Sequence, residues 1–305
     1  MTNNFKWPNF LVVGAPKCAT TSIYNYLSDH PDVFLSKVRK EGRFFSEINR
    51  SSIFWPKNYP YPVSNSINDY KKLFDGFNQE KLVGDISPDY LSYSSVSSKK
   101  IINYCGPETK IVIIVRDPID RSFSHYIQNV RRGAEHFSFK KSIEIEKIRK
   151  LNNWGFQWLY SDTSFYSERI GEFKKLFKNV LILTKHGLER NTKKTLIKLH
   201  NFLQIDFDSK KSFPKSNKGG VQKSKIDTVL SGIYDNEEKI LLDKSSYHGE
   251  KIEKKPNVDT SFDTGGELIP IDLQFIDKSL LKILREIFSE EINLIYDNYG
   301  IKLNL

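Results

Sequence analysis

Phe10-Leu-Val-Val-Gly14-Ala-Pro-Lys17-Cys18-Ala19-Thr20-Thr21-Ser22 is the stretch that decides the fold. An apolar run ends in glycine, and a hydroxyl-rich segment then opens a pattern with Ile23, Tyr24 and Leu27 at helical spacing. A short buried strand followed at once by a helix is the opening of a strand–helix–strand unit. At such a junction the first backbone N–H groups of the helix have no partner within it, and they attract an anion. Thr20, Thr21 and Ser22 add hydroxyl donors and Lys17 adds a positive charge, so the segment reads as a phosphate cradle. It departs from the nucleoside-triphosphate loop G-x-x-x-x-G-K-[ST]. Counting from Gly14, Ala19 stands at the second glycine and Thr20 at the lysine, while the lysine sits three residues earlier at Lys17.

Working outward, Lys110-Ile-Val-Ile-Ile-Val-Arg116 is the strongest strand pattern, β-branched and apolar on both faces, as an interior parallel strand requires. Val33 to Leu35, Lys81 to Asp85 and Val180 to Thr184 read as further strands. Helical patterns span Tyr70 to Phe74, Ser95 to Tyr104, Ile119 to Arg132, Asp162 to Phe177, Thr192 to Leu203 and Asp277 to Tyr296. Ile53 to Asn68 reads as loop. Alternating strands and helices predict an α/β class with a central parallel β-sheet flanked by helices. No break is strong enough to divide residues 1–305, so a single domain is expected, with a polar, mobile excursion over residues 244–267.

The chain has 305 residues, 38% of them hydrophobic and 13% aromatic, which suffices for a sizeable core and excludes global disorder. No apolar run approaches the ~18 residues of a membrane span, and Phe10 to Val13 is too short for a secretory core of about 7–15 residues. Two cysteines, Cys18 and Cys105, give no disulfide framework and no zinc site, and a cytoplasmic setting is expected. A net charge of +10 favours anionic partners. The basic residues are spread along the chain apart from a cluster at Lys211 to Lys225, and nucleic acid is not the expected partner.

Arg116-Asp-Pro-Ile-Asp-Arg-Ser-Phe-Ser124 lies where the strongest strand meets its helix, the place where open α/β sheets bind ligands. Arg116 offers a forked cation and Ser124 a hydroxyl, so a second phosphate can be held away from the first loop. Taken together, the two segments resemble the sulfotransferases that use 3′-phosphoadenosine 5′-phosphosulfate (PAPS). Gly14 to Ser22 is similar to that family's 5′-phosphosulfate loop, and Arg116 to Ser124 to its 3′-phosphate motif. The resemblance implies a P-loop nucleotide-kinase-like sulfotransferase fold, PAPS as co-substrate and no metal. It makes Lys17, Cys18, Ala19, Thr20, Thr21, Ser22, Arg116 and Ser124 donor-binding residues. Ser216-Asn217-Lys218-Gly219-Gly220 resembles a segment that folds over the nucleotide, adding Asn217, Lys218, Gly219 and Gly220.

Lys37-Val-Arg-Lys40-Glu41-Gly-Arg43-Phe44-Phe45 resembles the carbohydrate branch, closest to the heparan sulfate enzymes, in which an acidic residue precedes a Phe-Phe pair. On that resemblance Glu41 is the catalytic base and a carbohydrate hydroxyl, less so an amine, is the acceptor. Gly84-Asp85-Ile86-Ser87-Pro88-Asp89-Tyr90 resembles a second active-site stretch; Asp85 takes its acidic position and is expected to orient the acceptor, while Ile86 replaces its usual lysine. Lys17 is expected to stabilise the leaving phosphate and Lys40 to assist at the sulfo group. His125, next to Ser124, is expected on a helix surface. Two alternatives stay open on the residues: a P-loop kinase-like phosphotransferase, and a non-enzymatic basic module for acidic glycan or nucleic acid.

Overall fold

The structure, a computed structural model, describes residues 5–46, 53–54, 63–64, 66–135, 137–214, 221–222, 268–269 and 273–303. In chain order its elements are β1 (Phe10–Gly14), α1 (Thr20–Leu27), β2 (Val33–Leu35), α2 (Ile67–Lys71), β3 (Leu82–Ile86), α3 (Asp89–Ser92) and α4 (Ser94–Cys105). There follow β4 (Lys110–Val115), α5 (Pro118–Arg131), α6 (Phe139–Glu144), α7 (Glu146–Leu151), α8 (Ser167–Leu176), β5 (Val180–Thr184), α9 (Lys185–Arg190) and α10 (Thr192–Leu203). A helix at Lys278–Tyr299 is the last described element.

Five strands form one parallel sheet in the order β2-β3-β1-β4-β5. Phe10 to Val13 and Ile111 to Val115 are fully buried, which is why neither strand alternates polar with apolar residues. From β1 the chain moves outward to β2, returns through β3, and then crosses to β4 on the other side. The crevice beyond the carboxyl ends of β1 and β4 is therefore the topological switch point, where ligands of open α/β sheets sit. Both candidate anion segments end there. A short antiparallel pair, Val221–Gln222 with Leu268–Ile269, lies apart from this sheet.

Helix α5 is held by its apolar side. Ile119, Phe123, Tyr126, Ile127 and Val130 pack with Leu280, Leu284 and Phe288 of the helix Lys278–Tyr299. That helix also supplies Glu291, whose carboxylate accepts the backbone N–H groups of Tyr166 (2.6 Å) and Ser167 (2.7 Å) and so caps α8 from a distance. The predicted helix from Asp162 begins later for a local reason. Asp162 binds Arg169 (2.6 Å) and Lys150, its own turn is 3₁₀, and α8 starts at Ser167. Helices α6, α7 and α9 were not expected; Ser138 caps α6 and Thr184 caps α9 through the N–H groups of Lys141 and Gly187. Residues 244–267 and Asn217 to Gly220 lie outside the described residues.

Candidate active site

The β1–α1 loop is built by two residues in the left-handed region, Lys17 (φ 70°) and Ala19 (φ 66°). Such a turn aims successive backbone N–H groups into one concavity, a nest for an anion. Among the described residues, the N–H groups of Lys17 and Ala19 have no hydrogen-bond acceptor, whereas those of Ala15 and Cys18 bond Ile114 and Ala15. Gly14 is required by packing, since a Cβ there would lie 2.5 Å from that of Leu91. Cys18 is buried, and burial pushes its thiol up to about 11, so it shapes the loop as a neutral side chain. Thr20 and Ser22 are buried at the start of α1, and Thr21 is half-buried beside them.

Lys17 is half-buried, and its ammonium has no carboxylate partner among the described residues. Burial first, then the charges of Arg131, Arg132, Arg116 and Arg121, push its pKa down to about 7. The site thus gathers cations that repel one another. An incoming anion relieves that repulsion.

Arg116 ends β4 and reaches across to the loop: its Nη1 donates to the Lys17 carbonyl oxygen (3.1 Å), and its Nε donates to Asp120 (2.9 Å). Asp117 caps α5 by accepting the Asp120 N–H (2.7 Å), and Pro118 takes the first helical turn. Ser124 lies four residues beyond Asp120, on the same half-exposed side of α5, and its hydroxyl makes no hydrogen bond among the described residues. Arg131 and Arg132 close the far end of that side. His125 corrects an expectation: it is buried rather than on a surface, its Nδ1 faces Arg121 (3.2 Å), and burial with Arg121, Lys17 and Arg132 holds it well below the ordinary imidazole value.

The loop after β2 brings the third group. Glu41 is bonded by Lys40 (3.1 Å) and by Arg43, and Lys40 also donates to Thr21 of the cradle (2.9 Å). One lysine therefore ties the proposed base to the anion loop, a link that the sequence alone did not show. Burial opposes ionisation of Glu41, but Arg43 and Lys40 outweigh it and hold the carboxyl down at about 2. A carboxylate so stabilised is a weak base until one of these cations is drawn elsewhere.

Asp85 stands at the end of β3 and is buried. Its carboxylate accepts the Gly42 N–H (3.4 Å), Ser87 Oγ (2.6 Å), Tyr70 Oη (2.8 Å) and Tyr90 Oη (2.6 Å). With these four bonds it faces the Glu41 loop rather than the open crevice. Gly42 is required here, because a Cβ would lie 2.6 Å from the Tyr70 ring and 2.9 Å from Asp85. Sequence reasoning offered Arg43 only as one possible structural partner of Glu41, beside Lys37 and Arg39, and gave Asp89 no role; Arg43 and Asp89 meet at 4.0 Å. A buried carboxylate beside a cation leaves no sequence signal unless the fold is known.

A cationic N–H nest around Lys17 and the Arg116 guanidinium thus meet at the switch point of the sheet, and Lys40 links the Glu41 carboxylate to the nest. A family model described as a sulfotransferase domain matches residues 8–230, and the chain belongs to that family. Among curated proteins it is 27% identical over 148 residues to the membrane-associated sulfotransferase kil1 of Dictyostelium discoideum, covering 46% of this chain and 28% of that protein. It is 32% identical over 142 residues to the bifunctional heparan sulfate N-deacetylase/N-sulfotransferase 3 of Homo sapiens, covering 45% of this chain and 14% of that protein. The chain thus spans less than a third of the length of either relative. Among solved structures, a sulfotransferase from Alicyclobacillus acidocaldarius superposes with a TM-score of 0.68 at 22% identity, covering 98% of each chain. Mouse sulfotransferase SULT7A1, solved with PAP, superposes with a TM-score of 0.50 at 16% identity, covering 98% of this chain and 92% of that one. The fold is the sulfotransferase fold, and the family match selects that reading over the kinase and the basic module.

Proposed function

We propose that this protein transfers a sulfo group from PAPS to a hydroxyl of a carbohydrate. The observation that carries the reading is Lys17, a half-buried lysine with no carboxylate partner among the described residues, set in an N–H nest and pressed by Arg131, Arg132, Arg116 and Arg121. Thr20, Thr21, Ser22 and the nest hold the 5′-phosphosulfate, and Arg116 and Ser124 hold the 3′-phosphate. Glu41 takes the acceptor proton as the acceptor oxygen bonds to sulfur. The bond from sulfur to the donor phosphate oxygen breaks, and that oxygen keeps the electron pair, where Lys17 stabilises it. Asp85 positions the loop of Glu41. The carbohydrate acceptor is supported by the Glu41-Gly-Arg43-Phe44-Phe45 pattern and by relatives whose names specify heparan sulfate.

The test is an acceptor screen with labelled PAPS over unsulfated and partly sulfated polysaccharides, phenols and steroids. Label on sugar hydroxyls is expected. Label confined to phenols or steroids contradicts the acceptor class, and no retention on immobilised adenosine 3′,5′-bisphosphate contradicts the donor.

A further inference from the structure

Asp89 opens α3, three residues beyond the end of β3, and is 1% exposed. Its carboxylate oxygens accept no well-formed hydrogen bond among the described residues, although the Ser46 hydroxyl lies near enough to favour the charged form. The cation facing it is Arg43, whose Nε lies 4.0 Å away, and the same guanidinium bonds Glu41 through Nη2. One cation therefore stands between two carboxylates, Glu41 toward the anion loop and Asp89 buried behind it. The titratable groups facing Asp89 are Arg43 and Glu41 from the loop, with Tyr90 on its own helix and Tyr93 just before α4. Burial raises both tyrosines above their ordinary value, so they stay neutral through the physiological range. Burial also pushes Asp89 up to about 6 against the pull of Arg43 and Ser46, and the charge of Glu41 adds to the rise.

We propose that Asp89 is a positioning residue that sets the basicity of Glu41 by competing with it for Arg43. The proposal rests on reading Glu41 as the base. A guanidinium shared between two carboxylates stabilises each less than one it serves alone. When Asp89 is ionised, Arg43 is drawn toward it and the Glu41 carboxylate becomes the stronger base. When Asp89 is protonated, its competition with Glu41 for Arg43 ends, and the like-charge repulsion from Asp89 disappears as well. Both effects weaken the base in the same direction. The acceptor proton goes to Glu41 throughout, and Asp89 carries none of it. The sign follows: turnover is supported above the Asp89 pKa and falls as pH drops through it.

The experiment uses the full chain with Asp89→Asn, Asp89→Glu and Glu41→Gln. Turnover is read as adenosine 3′,5′-bisphosphate release from PAPS, with completely desulfated heparan sulfate as the acceptor probe, from acid to neutral pH. The wild type should show an acid limb. Asp89→Asn should lose that limb and run about tenfold slower at neutral pH, a fraction of the full value of general base catalysis. Its bisphosphate affinity should stay within about twofold, because no donor-binding group has changed. Asp89→Glu, which restores the charge, should recover the limb. An Asp89→Asn protein that is slower by one factor at every pH, with the limb intact, overturns the proposal and makes Asp89 structural. Carbon-13 titration of the wild-type carboxyls covers a variant that fails to fold: the Glu41 signal should step where Asp89 titrates, and a flat Glu41 signal overturns the proposal. If Glu41→Gln keeps full turnover, the base reading falls and this proposal with it. If Glu41→Gln is inactive while Asp89→Asn keeps the wild-type profile, only the proposal about Asp89 falls.

Discussion

Two regions of the molecule bury charge, and they do so in opposite ways. In one, Arg149 and Glu135 form a bidentate pair (2.8 and 3.0 Å), both 2% exposed. Glu135 accepts further bonds from Tyr160 Oη (2.8 Å) and the Phe137 N–H (3.2 Å), and Asn129 donates to the same Tyr160 oxygen (3.0 Å). Burial alone would raise the Glu135 pKa, but Arg149 wins and lowers it. Charge here is matched, and the network joins α5 to the α7 region. In the other region Lys17 sits among arginines with no carboxylate of its own among the described residues. The matched pair reads as scaffold, whereas Lys17, whose neighbour Arg116 already pairs with Asp120, is expected to take its counter-ion from outside.

The contrast is sharpened most by Glu41→Gln, which keeps the shape and removes the basicity. Turnover should fall by about 10²–10⁴ while bisphosphate affinity stays within a few-fold. A drop in melting temperature with turnover per folded molecule intact would show Glu41 to be only the partner of Arg43. Lys17→Ala should lower turnover by about 10²–10³, the scale of one lost transition-state charge stabiliser. Turnover within a few-fold of wild type, in a folded protein, removes Lys17 from the chemistry.

The matched region predicts a loss of stability instead. Glu135→Gln leaves Arg149 buried without its counter-charge, which costs about 3–5 kcal/mol. Chemical denaturation measures it, and bisphosphate affinity at a temperature where the variant is folded should be unchanged. A smaller effect falls on donor binding. Arg116→Ala should weaken bisphosphate binding by about tenfold to a hundredfold, the worth of a charge-assisted hydrogen bond, and Ser124→Ala by less. Calorimetric affinities equal to wild type in both variants would place the 3′-phosphate elsewhere.

The sheet was legible because its strands carry their own signal. Phe10 to Val13 and Ile111 to Val115 are apolar on both faces, and only a buried parallel strand tolerates that. The loop of Lys17 was legible because strand, turn and helix are contiguous. The surroundings of Glu41 were not. Asp85 reads as the polar end of a strand, yet its partners Gly42 and Tyr70 arrive from 43 and 15 residues away. The bond from Lys40 to Thr21 spans 19 residues and depends on how the loop after β2 folds back over the cradle. His125 misled for the same reason, since its helix is covered on a side that only the packing of Phe156 and Tyr160 reveals.

If Lys17 takes its counter-ion from a bound phosphate, anion binding is linked to its protonation. In the free protein burial and its arginine neighbours hold Lys17 near 7, so at pH 8 it is mostly neutral. A phosphate beside it favours the charged form and raises its pKa, so binding must take up a proton and affinity must fall as pH rises above about 7. Phosphate, with a second pKa of about 6, is already ionised at pH 8 and contributes little to that count. Calorimetry with adenosine 3′,5′-bisphosphate at pH 8, in buffers of different ionisation enthalpy, reads the number directly. Uptake should approach one proton in the wild type and be absent in Lys17→Ala. Equal proton counts in the two proteins, or no binding at all, would contradict it.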